Sequence, residues 1–299
     1  MVRAALATTL LSASLALALG PRPGQFKNLV TFGDSYTDVD AHADGGVMWP
    51  VFAAQEGRLA LYPFAKAGAT CSNNITARPF PSLFESQLPA FFAARANGTL
   101  PALRADETVY TLWIGTNDVG ANALLTGQHA PRASVVDVVA CAVNWVRVLY
   151  GAGARNFVFQ NMIPLETTPL YAPDSYTNHY WTAARNTTEW SEPEADTLTG
   201  SPPALFDAHA LFTDMYAHPA RFLNGTAPLN VTGAVRSCVY APGESTGDPG
   251  VCTVASGTDA DSFLWFDELH PSVQAERVVA KVMVDTIERK SEEYATWLL

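Results

Sequence analysis

The sequence predicts an α/β protein built on a parallel β-sheet with helices covering both faces. Three observations predict it. Short apolar, β-branched runs alternate with amphipathic helical patterns along the chain. The chemically suggestive segments follow directly on such a run or open a helix, and no Gly/Ser-rich linker divides the chain into two cores. Strands that alternate with helices pair in parallel through crossovers, which buries the sheet on both faces. Sites in such sheets lie beyond the carboxyl ends of the strands.

Taken in order, residues 1–20 read as a secretory signal: Arg3 gives a basic start, Ala4 to Leu19 are apolar, and Ala16, Ala18 and Gly20 offer a cleavage site. The competing reading is a membrane anchor, but the run of about 16 apolar residues is short of the ~20 that span a bilayer. Lys27 to Phe32 then form a first buried strand that stops at Gly33, and Leu59 to Tyr62 a second, followed by the small-residue turn Ala67-Gly68-Ala69-Thr70. Thr108 to Ile114 form the third, ended by Gly115. Ser134 to Tyr150 place Val135, Val138, Val139, Ala142, Trp145, Val146 and Leu149 at helical spacing. Arg155 to Gln160 give a fourth strand and Ala204 to Phe206 a short fifth. A last helix is expected from Pro271 to about Tyr294, with the proline in its first turn. Residues 164–202 and 238–258, rich in Pro, Ser, Thr and Asp, are expected to be excursions that shape a rim. Residues 21–299 are therefore expected to form one domain.

Composition narrows the function. With 18 basic against 29 acidic residues the net charge is −11, which argues against nucleic acid as a partner. Beyond the signal no stretch is long and apolar enough to cross a membrane. The hydrophobic share of 48% supplies a large core. Sequons at Asn74, Asn97, Asn186, Asn224 and Asn230, none with a central proline, agree with export and glycosylation. Four cysteines (Cys71, Cys141, Cys238, Cys252) allow three pairings. Cys238 and Cys252 bracket a Pro/Gly-rich loop and are the first choice for a bond, while a Cys71–Cys141 bond stays open. No C-x-x-C spacing suggests zinc. A soluble, secreted monomer without metal or cofactor is expected.

The chemistry sits in four segments. Ester cleavage through a serine needs a histidine to take its proton, a carboxylate to orient the histidine, and donors facing the developing oxyanion. Ser35 follows the first strand in Phe32-Gly33-Asp34-Ser35. Asp267 and His270 stand three residues apart in Asp267-Glu268-Leu269-His270-Pro271, close enough for the carboxylate to meet Nδ1 and leave Nε2 for Ser35. Taken alone, the same pair reads as a surface aspartate and a histidine before a helix. Gly68 can bring its N–H close to a ligand because it lacks Cβ. Asn117, in Gly115-Thr116-Asn117-Asp118 after the third strand, offers a side-chain amide. With the N–H of Ser35 these are the expected oxyanion donors, although glycine turns and asparagine caps are ordinary features of strand ends. Asp34, Trp49 and Trp265 are candidates for the substrate pocket, the two tryptophans equally suited to packing, whereas Trp113 belongs to a core strand.

These four blocks, in this order, resemble the GDSL-type esterases, also called SGNH hydrolases, over residues 28 to about 285. The resemblance implies a flavodoxin-like α/β/α sandwich, with Ser35, Asp267 and His270 catalytic and Ser35, Gly68 and Asn117 holding the oxyanion. Within the family, Gly45-Gly46-Val47-Met48-Trp49-Pro50, Gly68-Ala69-Thr70-Cys71-Ser72-Asn73 and Trp113-Ile114-Gly115-Thr116-Asn117-Asp118 are similar to fungal secreted acetylesterases of carbohydrate esterase family 16. Val39-Asp40 departs from the pattern, which often has glycine soon after the aspartate. The implied substrate is a small ester or an acetylated oligosaccharide, such as acetylated xylo-oligosaccharide. A lipase or lysophospholipase acting on longer chains is the runner-up, and a catalytically silent carbohydrate-binding or cell-wall protein is the alternative outside enzymes.

A second serine competes. Gly243-Glu244-Ser245-Thr246-Gly247 matches G-x-S-x-G, but that motif needs a strand before it and a helix after it. Pro242 precedes it and Asp248-Pro249-Gly250 follow, so Ser35 is preferred.

Overall fold

Apolar runs become strands here because neighbouring strands complete their hydrogen bonding. The computed structural model describes residues 21, 22, 24–43, 45–172, 203–239 and 250–297. The signal stretch, Asn186, Ser245 and, of the two expected rim segments, residues 173–202 and 240–249 lie outside these residues.

Strand β1 (Asn28–Gly33) pairs in parallel with β2 (Ala60–Pro63) on one side and β3 (Thr108–Trp113) on the other. Beyond β3 follow β4 (Asn156–Gln160) and β5 (Pro203–Phe206), also parallel. The order is β2-β1-β3-β4-β5, with a sixth strand antiparallel at the β5 edge. β3 is buried along its whole length, whereas β2 ends in a proline at the sheet edge, a position that needs no ladder N–H. Because the chain leaves β1 for one side and returns on the other, the strand order reverses between β1 and β3. A crevice therefore opens at their carboxyl ends.

The period of two along each strand divides the core. Leu29, Val109, Trp113 and Val158 face helices α1 (Trp49–Gly57), α5 (Ala208–Ala217) and α6 (Val273–Ile287), which contribute Ala53, Phe212, Met215, Val279 and Met283. Val30, Phe32, Tyr110 and Leu112 face α2 (Leu88–Ala96) and α4 (Val135–Gly151), with Phe91, Trp145 and Leu149. Between them, Thr116–Val119 makes the single-turn helix α3. The result is a three-layer α/β/α sandwich with a mainly parallel sheet. Helix α4 starts where its sequence asks, at a capping box between Ser134 and Asp137.

The C-terminal helix differs from its expected span. Ser272 caps α6 by accepting the Ala275 N–H, so Pro271 stays outside the helix and pairs with Trp265 in an isolated bridge. At the other end the helix stops at Ile287, and Arg289 turns the chain with φ +53°. Residues Ala295–Trp297 then form the antiparallel edge strand, β10, against β5. Three residues carry no usable alternation, so only the presence of β5 creates that strand. Smaller ribbons complete the chain: β6 (Asn230–Ala234) with β9 (Phe263–Trp265), and β7 (Arg236–Cys238) with β8 (Cys252–Val254). Cys238 and Cys252 face each other across that hairpin and are disulfide-bonded. A second disulfide, Cys71–Cys141, ties the loop after β2 to α4. No helix among the described residues is long and apolar enough to cross a membrane.

Candidate active site

Four chain segments converge at the β1/β3 crevice, and each is shaped by a local constraint. Gly33 ends β1 at φ +145°, where a Cβ would stand 2.1 Å from the Trp113 carbonyl oxygen, so only glycine lets β1 and β3 approach this closely. Gln87 clamps the same residue by accepting its N–H (3.1 Å) and donating to its carbonyl (2.7 Å). Asp34 donates its N–H to Trp113 O (3.1 Å), while its own carbonyl accepts from Thr37 and Asp38 N–H. The turn so formed presents Ser35, of which 7% remains exposed.

The second segment follows β9. Phe266 N–H donates to His270 O (2.8 Å), closing a tight loop. Inside it Asp267 Oδ1 accepts the N–H groups of Leu269 (2.9 Å) and His270 (2.8 Å). Both Asp267 oxygens then lie 3.0 Å from His270 Nδ1, and His270 Nε2 lies 2.9 Å from Ser35 Oγ. Tyr36 joins the two segments. Its hydroxyl donates to Leu269 O (3.1 Å), and its ring packs edge-on against the imidazole at 5.7 Å. The structure thus brings together Ser35, Asp267 and His270 across 235 residues of sequence.

Electrostatics follow the geometry. Burial by itself would raise the Asp267 carboxyl, but the His270 charge and the hydrogen bonds from His270 and Leu269 hold it below its usual range. Burial likewise disfavours charge on His270, yet the adjacent Asp267 carboxylate outweighs it and the imidazole titrates above its ordinary value. Asp34 behaves differently. Burial, reinforced by Asp118, pushes its pKa up to about 7 against the opposing Tyr36 N–H and the charges of His270 and Arg78. Its Oδ2 has no hydrogen-bond partner among the described residues.

The third and fourth segments are the pair of turns that carries the expected oxyanion donors. Ala69 N–H donates to Lys66 O (3.1 Å) across Ala67 and Gly68. Gly68, at φ +75°, occupies the turn position that glycine favours. Asn117 is the second residue of α3, and its Nδ2 donates to Ala69 O at 3.0 Å. The N–H groups of Asp34, Tyr36, Thr37 and Asp38 all donate to the protein. Those of Ser35 and Gly68 have no protein acceptor among the described residues. Asp118 anchors both turns: its carboxylate accepts Cys71 N–H (3.0 Å) and Thr76 Oγ1–H (2.8 Å), and burial pushes its pKa up to about 7.

The pocket assignments need correction. Trp49 and Trp265 are 0% exposed and lie in the core. Trp49 Nε1–H donates to Thr37 Oγ1, Trp265 Nε1–H donates to Val231 O, and Trp265 stacks on Phe212. Each indole found an acceptor inside the protein, which removes the usual reason for a tryptophan to stay at a surface. Asp34 is also wholly buried, in the turn behind Ser35. The aromatic that does stand open beside the site is Phe80, 44% exposed, whose ring lies against Gly68. It and Arg78 belong to no sequence motif, and nothing in residue type or spacing singles them out; Tyr36 and Asp118 sit beside or within the serine and asparagine blocks, but nothing there marks them as anchors.

Of the sequons, Asn74, Asn97 and Asn224 are exposed and Asn230 is partly buried, its Oδ1 accepting from the N–H of Thr232 and Gly233. Among the described residues no group of three or more His, Cys, Asp or Glu is placed to hold a metal ion.

The sandwich, and a serine, histidine and aspartate in hydrogen-bonded series at its switch point, define a carboxylic ester hydrolase. More narrowly, the chain belongs to the GDSL-like lipase/acylhydrolase family, whose profile matches residues 29–283. It is similar to an acetylesterase of Hypocrea jecorina, 29% identical over 94% of this chain and 95% of the relative. An acetylesterase of Thermothelomyces thermophilus is 28% identical over 87% of each chain. A thermolabile hemolysin of Vibrio parahaemolyticus is 24% identical over 91% of this chain and 66% of its own length. A solved carbohydrate esterase matches 48% of each chain at 19% identity and a TM-score of 0.31, too slight a likeness to bear on the fold.

Proposed function

We propose that this protein is a secreted serine esterase that removes acetyl groups from carbohydrate, acetylated xylo-oligosaccharides being the model substrate. The observation that carries it is the 2.9 Å contact between His270 Nε2 and Ser35 Oγ, with Asp267 on the far nitrogen. Two relatives named acetylesterases, matched along most of their length, support the acetyl group. Disulfide bonding of all four cysteines and exposed sequons at Asn74, Asn97 and Asn224 support export, with the sequons as glycosylation sites.

In this mechanism Ser35 Oγ forms a bond to the ester carbonyl carbon while its proton passes to His270 Nε2. Asp267 fixes the Nδ1–H tautomer and stabilises the imidazolium. The tetrahedral oxyanion rests among Ser35 N–H, Gly68 N–H and Asn117 Nδ2. As the carbon–oxygen bond to the sugar breaks, His270 returns the proton to the leaving oxygen. Water then attacks the acyl-enzyme by the same path, releasing acetate and restoring Ser35.

Replacing each candidate serine by alanine tests the assignment. Ser35→Ala is expected to abolish hydrolysis and labelling by a serine-directed phosphonate, and Ser245→Ala to retain both. A fully active Ser35→Ala enzyme would sink it. Turnover of 4-nitrophenyl esters should peak at two carbons, and acetylated oligosaccharides should be deacetylated. A peak at eight carbons or more would instead favour a lipase.

A further inference from the structure

We propose that Arg78 is a positioning residue for the oxyanion site: it fixes the Asn117 carboxamide so that nitrogen, not oxygen, faces the developing charge. This rests on the proposed role of Asn117 in ester cleavage. A carboxamide has two ends of nearly equal size and opposite character. Turned the wrong way, Asn117 would aim an acceptor at an oxyanion.

Two contacts decide the orientation. Arg78 Nη1–H donates to Asn117 Oδ1 at 2.7 Å, and Asn117 Nδ2–H donates to Ala69 O at 3.0 Å. Rotating the amide by half a turn would set its NH2 against a guanidinium and its oxygen against a carbonyl, breaking both at once. The first contact is charge-assisted, the stronger kind. Arg78 also reaches the Asn117 main-chain carbonyl at 3.5 Å, so one side chain grips both the backbone and the tip of the same residue. A planar, multi-donor guanidinium suits that task, whereas an ammonium offers a single point charge.

Arg78 is itself held. Its backbone N–H donates to Asn73 Oδ1 (3.2 Å), and its guanidinium lies 5.7 Å from the centre of the Phe80 ring. The loop that carries it is fixed by the Cys71–Cys141 disulfide and by Thr76 on Asp118. The guanidinium therefore reaches Asn117 from a loop anchored at Cys71 and Thr76, and a neutral replacement would leave Asn117 Oδ1 without its charged donor.

The test is a double-mutant cycle on the full secreted chain with 4-nitrophenyl acetate, using Arg78→Ala, Arg78→Lys, Asn117→Ala and the Arg78→Ala/Asn117→Ala pair. Removing one oxyanion donor costs about 10²–10³ in kcat. Arg78→Ala is expected to lower kcat by about 10- to 100-fold, short of that full loss, with KM changed less than about threefold. Arg78→Lys should fall between it and wild type. In the Asn117→Ala background, loss of Arg78 should cost less than about threefold, because coupled residues are not additive. An undiminished loss in that background, or a change confined to KM, would overturn the proposal. If Arg78→Ala does not fold, as read by its circular dichroism, the same cycle built on Arg78→Lys and an added Arg78→Lys/Asn117→Ala pair decides in the same way. Failure of the underlying esterase mechanism is separately visible as an active Ser35→Ala enzyme.

Discussion

Gly68→Ala separates the geometry of the oxyanion turn from mere tolerance of a small side chain. Gly68 sits at φ +75°, where an L-residue is strained by roughly 1–2 kcal/mol. The added Cβ would stand 2.5, 2.6 and 2.9 Å from three atoms of the Phe80 ring. Phe80 is 44% exposed and can swing aside, which surrenders its contact with Arg78, of order 0.5–1 kcal/mol. The sum is about 2 kcal/mol, or a Tm lower by roughly 3 °C for a chain of this size. Activity should suffer more. If strain turns the Gly68 N–H out of the site, one donor is lost and kcat falls by about 10²–10³. The assay is thermal unfolding beside kcat on 4-nitrophenyl acetate, with Phe80→Ala and the double variant as controls. The double variant removes the overlap but keeps the backbone strain and lacks the Arg78 contact, so it should regain little of either the Tm or the kcat. Full turnover in a destabilised Gly68→Ala enzyme would refute the place given to this N–H.

Other predictions test the remaining parts of the site and its frame. Because Asp267 holds His270 above its ordinary value of 6.5, and only neutral imidazole accepts the serine proton, kcat/KM should fall with acidification through a midpoint above 6.5. Asp267→Asn should move that midpoint down and lower the plateau by about 10⁴; an unmoved midpoint would count against the pairing. Asp118 has its pKa raised from 3.8 to about 7 by burial. The folded state therefore binds the extra proton between those values, and this contribution to stability declines as pH rises through that window. Measured by denaturant unfolding, wild type should lose stability relative to Asp118→Asn from about pH 4 to about pH 7, and a constant difference would refute it. The Cys71–Cys141 bond closes a separation of 70 residues, so the Cys71→Ser/Cys141→Ser protein should lose about 4 kcal/mol. A Tm within a degree or two of wild type would contradict that. Trp265→Ala should cost about 3–5 kcal/mol in unfolding experiments because its ring is core; a raised KM at unchanged stability would restore it to the pocket.

Much of the site was legible before folding because its chemistry is local. Gly33 and Ser35 share one strand end, and Asp267 and His270 share one turn, in which Asp267 Oδ1 accepts His270 N–H at 2.8 Å. A motif of that length carries its own geometry, since backbone turns fix where the side chains point. The five parallel strands were legible because each is a short apolar run, and all but the edge strand β2 are largely buried between the helical layers. Strand β10 was not, because three residues take their strand conformation only from β5.

The sequence by itself determined the layers, the residues proposed as nucleophile, base and orienter, and which residue types stand ready to hold an oxyanion. Only the tertiary structure decided which neighbours complete them. Arg78 reaches Asn117 across 39 residues, and Tyr36 reaches Leu269 across 233. No periodicity or motif links such pairs, because their contact exists only once the strand order has reversed between β1 and β3. Trp49 and Trp265 show the converse. Their composition allowed either a sugar-facing or a buried ring, and burial won because Thr37 and Val231 supplied the acceptors that water would otherwise have given.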